Sequence, residues 1–186
     1  MKESFRKIKK RVDKELSVRR YERDVENRMI INMTVKDDSD FLSVFSENET
    51  PVISTNVADF IENSTHALPP KEEFTLRIYS NCIDDEEKTD YQKAIKEYYA
   101  EKYIANEKEL KRNIFLVFVL MLAGIFVLAF AFQVDHAIWA EVIDIAAWVF
   151  LWEAVDISAF LNRSLRLKRK RYIAYMSMKI EYYPLR

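Results

Sequence analysis

Four acidic residues interrupt one of the two long apolar stretches in this chain. Glu141, Asp144, Glu153 and Asp156 lie within residues 138–161. At about 100° per residue they occupy roughly half the circumference of a helix, so the opposite half is wholly apolar. A carboxylate near the centre of a bilayer costs several kcal/mol unless water, a proton or a partner relieves it. We therefore predict that these residues form an intramembrane polar face.

Two interpretations of this polar face are open. In the first, the acids line a pore or polar cavity of an oligomer and select cations or carry protons. In the second, they pair with Arg163, Arg166 or neighbouring subunits, or lie at the interfaces of a tilted span. One helical hairpin cannot enclose a conducting path, so the pore interpretation requires self-association.

The other chemistry-bearing residues predict no catalytic, metal or cofactor site. Cys82 is the only cysteine, which excludes an internal disulfide and a thiolate-rich metal site. Neither His66 nor His136 has a second ligand at metal-binding spacing. Gly124 is the only glycine, so a glycine-rich phosphate loop or dinucleotide fingerprint is excluded. Since no nucleophile, base and electrophile can be assembled, we expect a protein that is not an enzyme and binds no cofactor.

The first apolar stretch has the length and composition of a transmembrane helix. Residues 114–132 read IFLVFVLMLAGIFVLAFAF, without a charge or an amide. At about 1.5 Å per residue this stretch nearly crosses a hydrocarbon core of about 30 Å. We predict transmembrane helices at 113–133 and 138–161, which together form a hairpin.

Basic residues flank this hairpin on one side. Residues 113–162 contain no lysine or arginine, whereas Lys111 and Arg112 precede the first span and a basic run follows the second. By the positive-inside rule, both termini are cytoplasmic and the connecting loop faces outward. We therefore expect a multi-pass protein of the cell membrane.

The amino-terminal segment has a basic amphipathic pattern. Phe5, Ile8, Val12 and Leu16 recur at helical spacing, which predicts a helix over residues 1–28. It would either pack its thin apolar stripe on the neighbouring domain or lie on an anionic membrane surface. In the second case the expected membrane contacts are Lys7, Lys10, Arg11, Lys14, Arg166, Lys168, Arg169, Lys170 and Arg171.

Residues 29–112 have the pattern of a small cytoplasmic domain that ends in a long helix. We predict strands at 29–35 and 73–79, the second from its strict apolar–polar alternation. Further predictions are a short helix capped by Asp38, a helix from Val57 to about Ala67, and a long helix beginning near Asp85. Residues 162–186 form a basic cytoplasmic tail, with a strand from about Met178 that joins the domain.

Together these patterns predict an α+β membrane protein, in which about three strands with covering helices stand on a two-helix transmembrane hairpin. The expected function is a membrane-anchored interaction or sensing module that binds a protein or a small molecule. The alternative is an oligomeric ion- or proton-conducting or membrane-perturbing effector. The partners we expect are the lipid bilayer and, for the alternative, further copies of the chain. Nucleic acid is not expected, because the net charge is −1 and no aromatic platform accompanies the basic runs.

Overall fold

A computed structural model describes residues 22–46, 50–66 and 68–185 of this protein. Its elements confirm a mixed α+β architecture. The strands are β1 (Met29–Thr34), β2 (Phe74–Tyr79) and β3 (Lys179–Tyr183). The helices are α1 (Thr55–Thr65), α2 (Asp85–Ala131), α3 (Ala137–Asp156) and α4 (Asn162–Met176), with a π-helical turn at Ile157–Leu161 between the last two.

The chain divides into two compact units. The first, here called the sheet unit, consists of residues 1–94 and 177–186, and the second, the helical unit, is Ile95–Met176. The boundary between residues 94 and 95 falls inside α2. Residues 95–176 are therefore an insertion in the sequence of the sheet unit.

The three strands form one sheet in the order β1-β2-β3, and both pairings are parallel. The predicted strands are confirmed, including the one near Met178. Parallel pairing requires a crossover connection rather than a tight turn. Along the sequence, the segment containing α1 connects β1 to β2, and the segment containing the helical unit connects β2 to β3.

One side of this sheet is buried, and within the described residues the other side is open only toward the carboxyl ends of the strands. On β2, Leu76 and Ile78 are fully buried on the first side. On the other side Thr75 is fully buried as well, whereas Arg77 and Tyr79 are half-buried. The buried side belongs to an apolar core that also includes Ile31, Ala58 and Ile61. An open side is unusual, since purely parallel sheets are nearly always covered on both faces.

The helix starts follow the local capping chemistry. Ser54 caps α1, where its Oγ accepts from Val57 N at 3.4 Å, so the helix starts two residues before the predicted Val57. At α2, the Asp84 carboxylate accepts from the amides of Glu86 and Glu87 at 2.9 Å. The Glu87 side chain in turn accepts from Asp84 N at 2.8 Å, which completes a capping box.

The short helix predicted after Asp38 is wrong. Residues 39–41 form a turn, and Leu42 pairs with Ile53 in an isolated antiparallel bridge. The Asp38 carboxylate accepts a hydrogen bond from Tyr91 Oη at 3.2 Å instead of capping a helix. The Tyr91 ring stacks on Phe41 with a centroid distance of 4.2 Å, which fixes this loop against α2 within the sheet unit.

The predicted helix over 1–28 lies mostly outside the described residues. Its described part is not helical, because residues 25–27 form a turn and Arg23 bridges to Met29. Asn27 has a φ of 64°, a left-handed conformation that asparagine tolerates better than most residues. The Arg23 guanidinium stabilises this turn by donating to the Asn27 carbonyl oxygen at 2.7 Å.

In the helical unit, α3 continues through the π-helical turn into α4 and ends at Met176. The basic run predicted as a tail is therefore largely helical. Close contacts connect the helices of this unit at several levels. Asn106 Nδ2 donates to the Leu165 carbonyl oxygen at 3.0 Å, and the rings of Tyr99 and Tyr175 lie 4.5 Å apart.

Candidate functional site

The apolar part of α2 has the properties of a membrane-crossing segment. It contains a window of mean hydropathy 3.0, and only 6% of that window is buried. Among the described residues, α2 is the one helix that is both long enough and apolar enough to cross a membrane. Its exposed side chains include Phe115, Phe118, Phe126 and Phe130. A contiguous apolar surface of this kind marks contact with lipid or a partner.

The second predicted span is less clearly a membrane segment. Helix α3 exposes large apolar side chains, including Trp139, Trp148 and Trp152, at 52–67% of their surface. Its 20 residues also contain the four acids of the predicted polar face. Those carboxylates make α3 less suitable than α2 for crossing a membrane. A two-helix hairpin across the membrane therefore stays a prediction.

Three of the four acidic residues of α3 lie away from its contact with α2. That contact uses small residues: Ala147 and Ala154 are buried, and a Cβ on Gly124 would lie 3.3 Å from the Ala147 carbonyl oxygen. Viewed along the helix axis, Glu141, Glu153 and Asp156 each lie more than about 100° away from the face that carries the two alanines. These three acids are exposed, and Asp144, nearer to that line, is half-buried.

Among the described residues, no ion pair joins Glu153 or Asp156 to Arg163 or Arg166. The pairing interpretation of the polar face therefore depends on neighbouring subunits or on the membrane interface. The polar face itself remains a prediction, since its chemistry depends on what surrounds it.

The predicted membrane-surface contacts divide into three groups. Lys7, Lys10, Arg11 and Lys14 lie outside the described residues. On α4, Arg166, Lys168 and Lys170 are exposed and Arg171 is half-buried. Arg169 is already engaged, because its Nε lies 2.8 Å from Glu107 Oε1, and its guanidinium carbon is 5.9 Å from the Tyr103 ring centroid. The contact with Glu107 is an ion pair.

The sheet unit contains a cavity of about 470 Å³ where β1 ends and α1 begins. The carboxyl ends of parallel strands are the usual place for ligands in open α/β sheets. The lining is apolar at Met33, Val35, Phe41, Val57 and Phe60 and polar at Thr34, Lys36, Asp37, Asp40 and Asn56. The volume lies within the range of small-molecule sites.

The polar residues at this cavity make it mildly acidic. Among the described lining residues, Asp37 and Asp40 outnumber Lys36, and all three side chains are exposed. A hydrogen bond from Ser39 N to Asp37 Oδ1, 3.0 Å long, lowers the pKa of the Asp37 carboxyl. The cavity thus has an apolar interior and a rim that favours a cation.

This cavity was not predicted from the sequence. Three of its polar residues, Lys36, Asp37 and Asp40, lie in the charged stretch directly after β1. The sequence did not indicate the relative direction of the strands. The end of β1 becomes a ligand-binding edge because the sheet is parallel. Ser54, which places the start of α1 beside that edge, was also overlooked as a cap.

The remaining reactive side chains of the described ranges do not assemble into a metal site. Cys82 is exposed, and its Sγ lies 3.0 Å from Ser80 Oγ. Within the part of the chain that the structure describes, no three His, Cys, Asp or Glu side chains are grouped so that they could hold a metal ion. No protein-family model matches this sequence, and neither a curated protein nor a solved structure is significantly similar to it.

Proposed function

We propose that this protein is a membrane-anchored sensing module whose sheet unit binds a small amphipathic cation in the cavity at the end of β1. The observation that carries the proposal is that one helix, α2, begins in the sheet unit and continues as an exposed apolar stretch of membrane-spanning length. In this proposal α2 and α3 cross the cell membrane as a hairpin, both termini are cytoplasmic, and the protein is not an enzyme.

The cavity supports the choice of ligand. Its interior accepts an apolar group beside Phe60, which is 39% exposed and therefore open to contact from outside. The described residues of its rim supply two carboxylates and one ammonium group, and this excess attracts a positive charge. A partner protein that presents a lysine or arginine beside an apolar residue has the same chemistry.

The test uses the full chain in lipid nanodiscs, with 2-phenylethylamine and 3-phenylpropionate as probes. Saturation-transfer NMR should show the amine bound and the carboxylate not bound, with empty nanodiscs correcting for partition into lipid. Phe60→Ala and Asp40→Asn should each weaken amine binding. Phe45→Ala and Asp59→Asn, which are exposed and lie outside the cavity, serve as matched controls. Equal binding of both probes, or equal effects of test and control variants, would contradict the proposal.

A second function, ion or proton conduction by an oligomer, is favoured by the position of the acidic face. Because the small-residue face of α3 contacts α2, Glu141, Glu153 and Asp156 are left on the outer surface of the hairpin. In lipid, such carboxylates need a proton, water or another subunit. Further copies of the chain would enclose them.

Native mass spectrometry of the protein in nanodiscs separates the two functions. A monomer or dimer leaves no room for an acid-lined channel, whereas a closed ring of roughly four or more chains turns the acidic faces inward. In the second case Asp144→Asn and Glu153→Gln should alter flux while expression stays intact. Unchanged flux in both variants would exclude conduction.

A further inference from the structure

The open side of the sheet carries an aromatic and cationic cluster at the carboxyl ends of β2 and β3. Tyr79 and Tyr183 are register partners, and their rings lie 5.6 Å apart at an angle of 27°. The Arg77 guanidinium carbon lies 5.6 Å from the Tyr183 centroid. Together with Pro184 these residues line a cavity of about 410 Å³. It differs from the β1 cavity in position, lining and charge.

The hydrogen bonding of Arg77 leaves most of its donors unused. Its Nε donates to Glu181 Oε2 at 3.2 Å, and among the described residues its terminal nitrogens donate to no acceptor. A guanidinium has five N–H donors in a planar fork, so four remain. That fork matches the two oxygens of a carboxylate or a phosphate.

The charge around Arg77 favours an anion. Glu181 is shared, because its Oε1 also accepts from Lys179 Nζ at 2.9 Å and its Oε2 accepts from Tyr183 Oη at 3.1 Å. One carboxylate therefore faces two cations. Among the described residues, no acidic side chain lines this cavity.

We propose that Arg77, Tyr79 and Tyr183 form a second binding site, which takes a planar aromatic ring bearing a carboxylate or phosphate. The ring stacks on the exposed tyrosine surface, and the oxyanion accepts from the terminal N–H groups of Arg77. Both an aromatic acid and a mononucleotide have this chemistry. The site does not depend on the cation bound at the end of β1.

Isothermal titration of the full chain in nanodiscs tests this site with four probes: adenosine monophosphate, adenosine, inorganic phosphate and indole-3-carboxylate. Adenosine lacks the oxyanion and phosphate lacks the ring, so each should bind at least about tenfold more weakly than the better of the other two probes. Comparing adenosine monophosphate with indole-3-carboxylate shows whether the site prefers a mononucleotide or an aromatic carboxylic acid. If neither binds more tightly than adenosine and phosphate, the proposal is wrong.

Variants assign the binding to the cluster. Tyr183→Leu should weaken the better probe about tenfold or more, as expected for loss of a stacking ring, whereas Tyr183→Phe should keep it within about threefold. Arg77→Gln should abolish the preference for the probe with an oxyanion. Phe60→Ala, in the other cavity, should have no effect, and circular dichroism checks that each variant is folded. Unchanged affinity in both Tyr183→Leu and Arg77→Gln would overturn the assignment.

Discussion

Gly124 of α2 lies directly against Leu151 of α3. A Cβ on Gly124 would be 2.9 Å from both Cγ and Cδ2 of Leu151, closer than real Cβ contacts allow. This is the only glycine of the chain, and it stands inside a helix, where glycine costs about 1 kcal/mol relative to alanine. Close approach of two helices is the physical reason for the residue, as in the small-residue contacts of membrane helices.

This contact predicts that Gly124→Leu loosens the helical unit. The added side chain overpacks the contact, which should lower the free energy of unfolding by about 1–3 kcal/mol. Ala129→Leu introduces a leucine at an exposed position of α2 and should have little effect. Denaturation in mixed micelles measures both. Adding Leu151→Ala to Gly124→Leu should restore part of the loss, and equal stability of the two single variants would contradict the packing.

Replacing either of two buried asparagines of the helical unit by leucine should change stability, but in opposite directions. Asn162 is 2% exposed, and its Oδ1 accepts no hydrogen bond within the described residues, whereas Asn106 donates to the Leu165 carbonyl. An unsatisfied buried polar atom costs about 1–3 kcal/mol. Asn162→Leu should therefore stabilise the protein and Asn106→Leu should destabilise it, as measured by the same denaturation. Destabilisation by both variants would show that Asn162 has a partner.

The amino-terminal turn of the sheet unit should weaken in acid. Thr75 is fully buried and donates to Asp24 Oδ2 at 2.6 Å, and this hydrogen bond is the main cause of the lowered pKa of Asp24. A folded-state pKa below the unfolded value gives stability that is present above about pH 4 and lost as the pH falls through the folded value. Asp24→Asn should flatten this loss in thermal unfolding between about pH 5 and pH 2. Asp90→Asn, at an exposed position, is the control, and an unchanged acid profile in Asp24→Asn would contradict the role.

The stability of the sheet unit should also fall at alkaline pH, because of Tyr182. Burial raises the pKa of its phenol to about 12, and its Oη donates to the Lys88 carbonyl oxygen at 3.1 Å. A raised folded-state pKa gives stability that is complete below the unfolded value, near 10, and is lost as the pH rises toward 12. Tyr182→Phe should lose less stability than the unaltered chain over this range, with the neighbouring Tyr183→Phe as control. A steeper loss in Tyr182→Phe would refute the assignment.

The sequence predicts individual helices and strands better than it predicts the contacts between them. The alternation at 73–79 and the absence of breakers after Asp85 identify β2 and α2, because local burial and helix propensity determine both. Helix α4 was not predicted, because the basic run after the second apolar stretch was interpreted as a tail. Arginine, lysine and leucine favour a helix through Met176, and the strand predicted from about Met178 begins at Lys179.

Long-range pairing explains what sequence reasoning missed. The parallel register of Arg77 with Glu181 joins residues 104 positions apart, so neither strand alone indicates that they meet. The cavity at Arg77 depends on that pairing, and the cavity at the end of β1 depends on the parallel pairing of β1 with β2. The acidic face of α3, by contrast, was visible from helical periodicity alone. Its role depends on neighbours that one chain does not contain.

The central claim, a membrane-anchored hairpin with a cytoplasmic sheet unit, is tested most directly by cysteine labelling in intact cells. Cys82 is the only native cysteine, so Cys82→Ser with Asp135→Cys places one thiol in the connection between α2 and α3. We predict that a membrane-impermeant maleimide labels Asp135→Cys in intact cells, and that it labels native Cys82, which is exposed, only after lysis. Labelling of Asp135→Cys only after lysis, or equal labelling of both thiols in intact cells, would contradict the account.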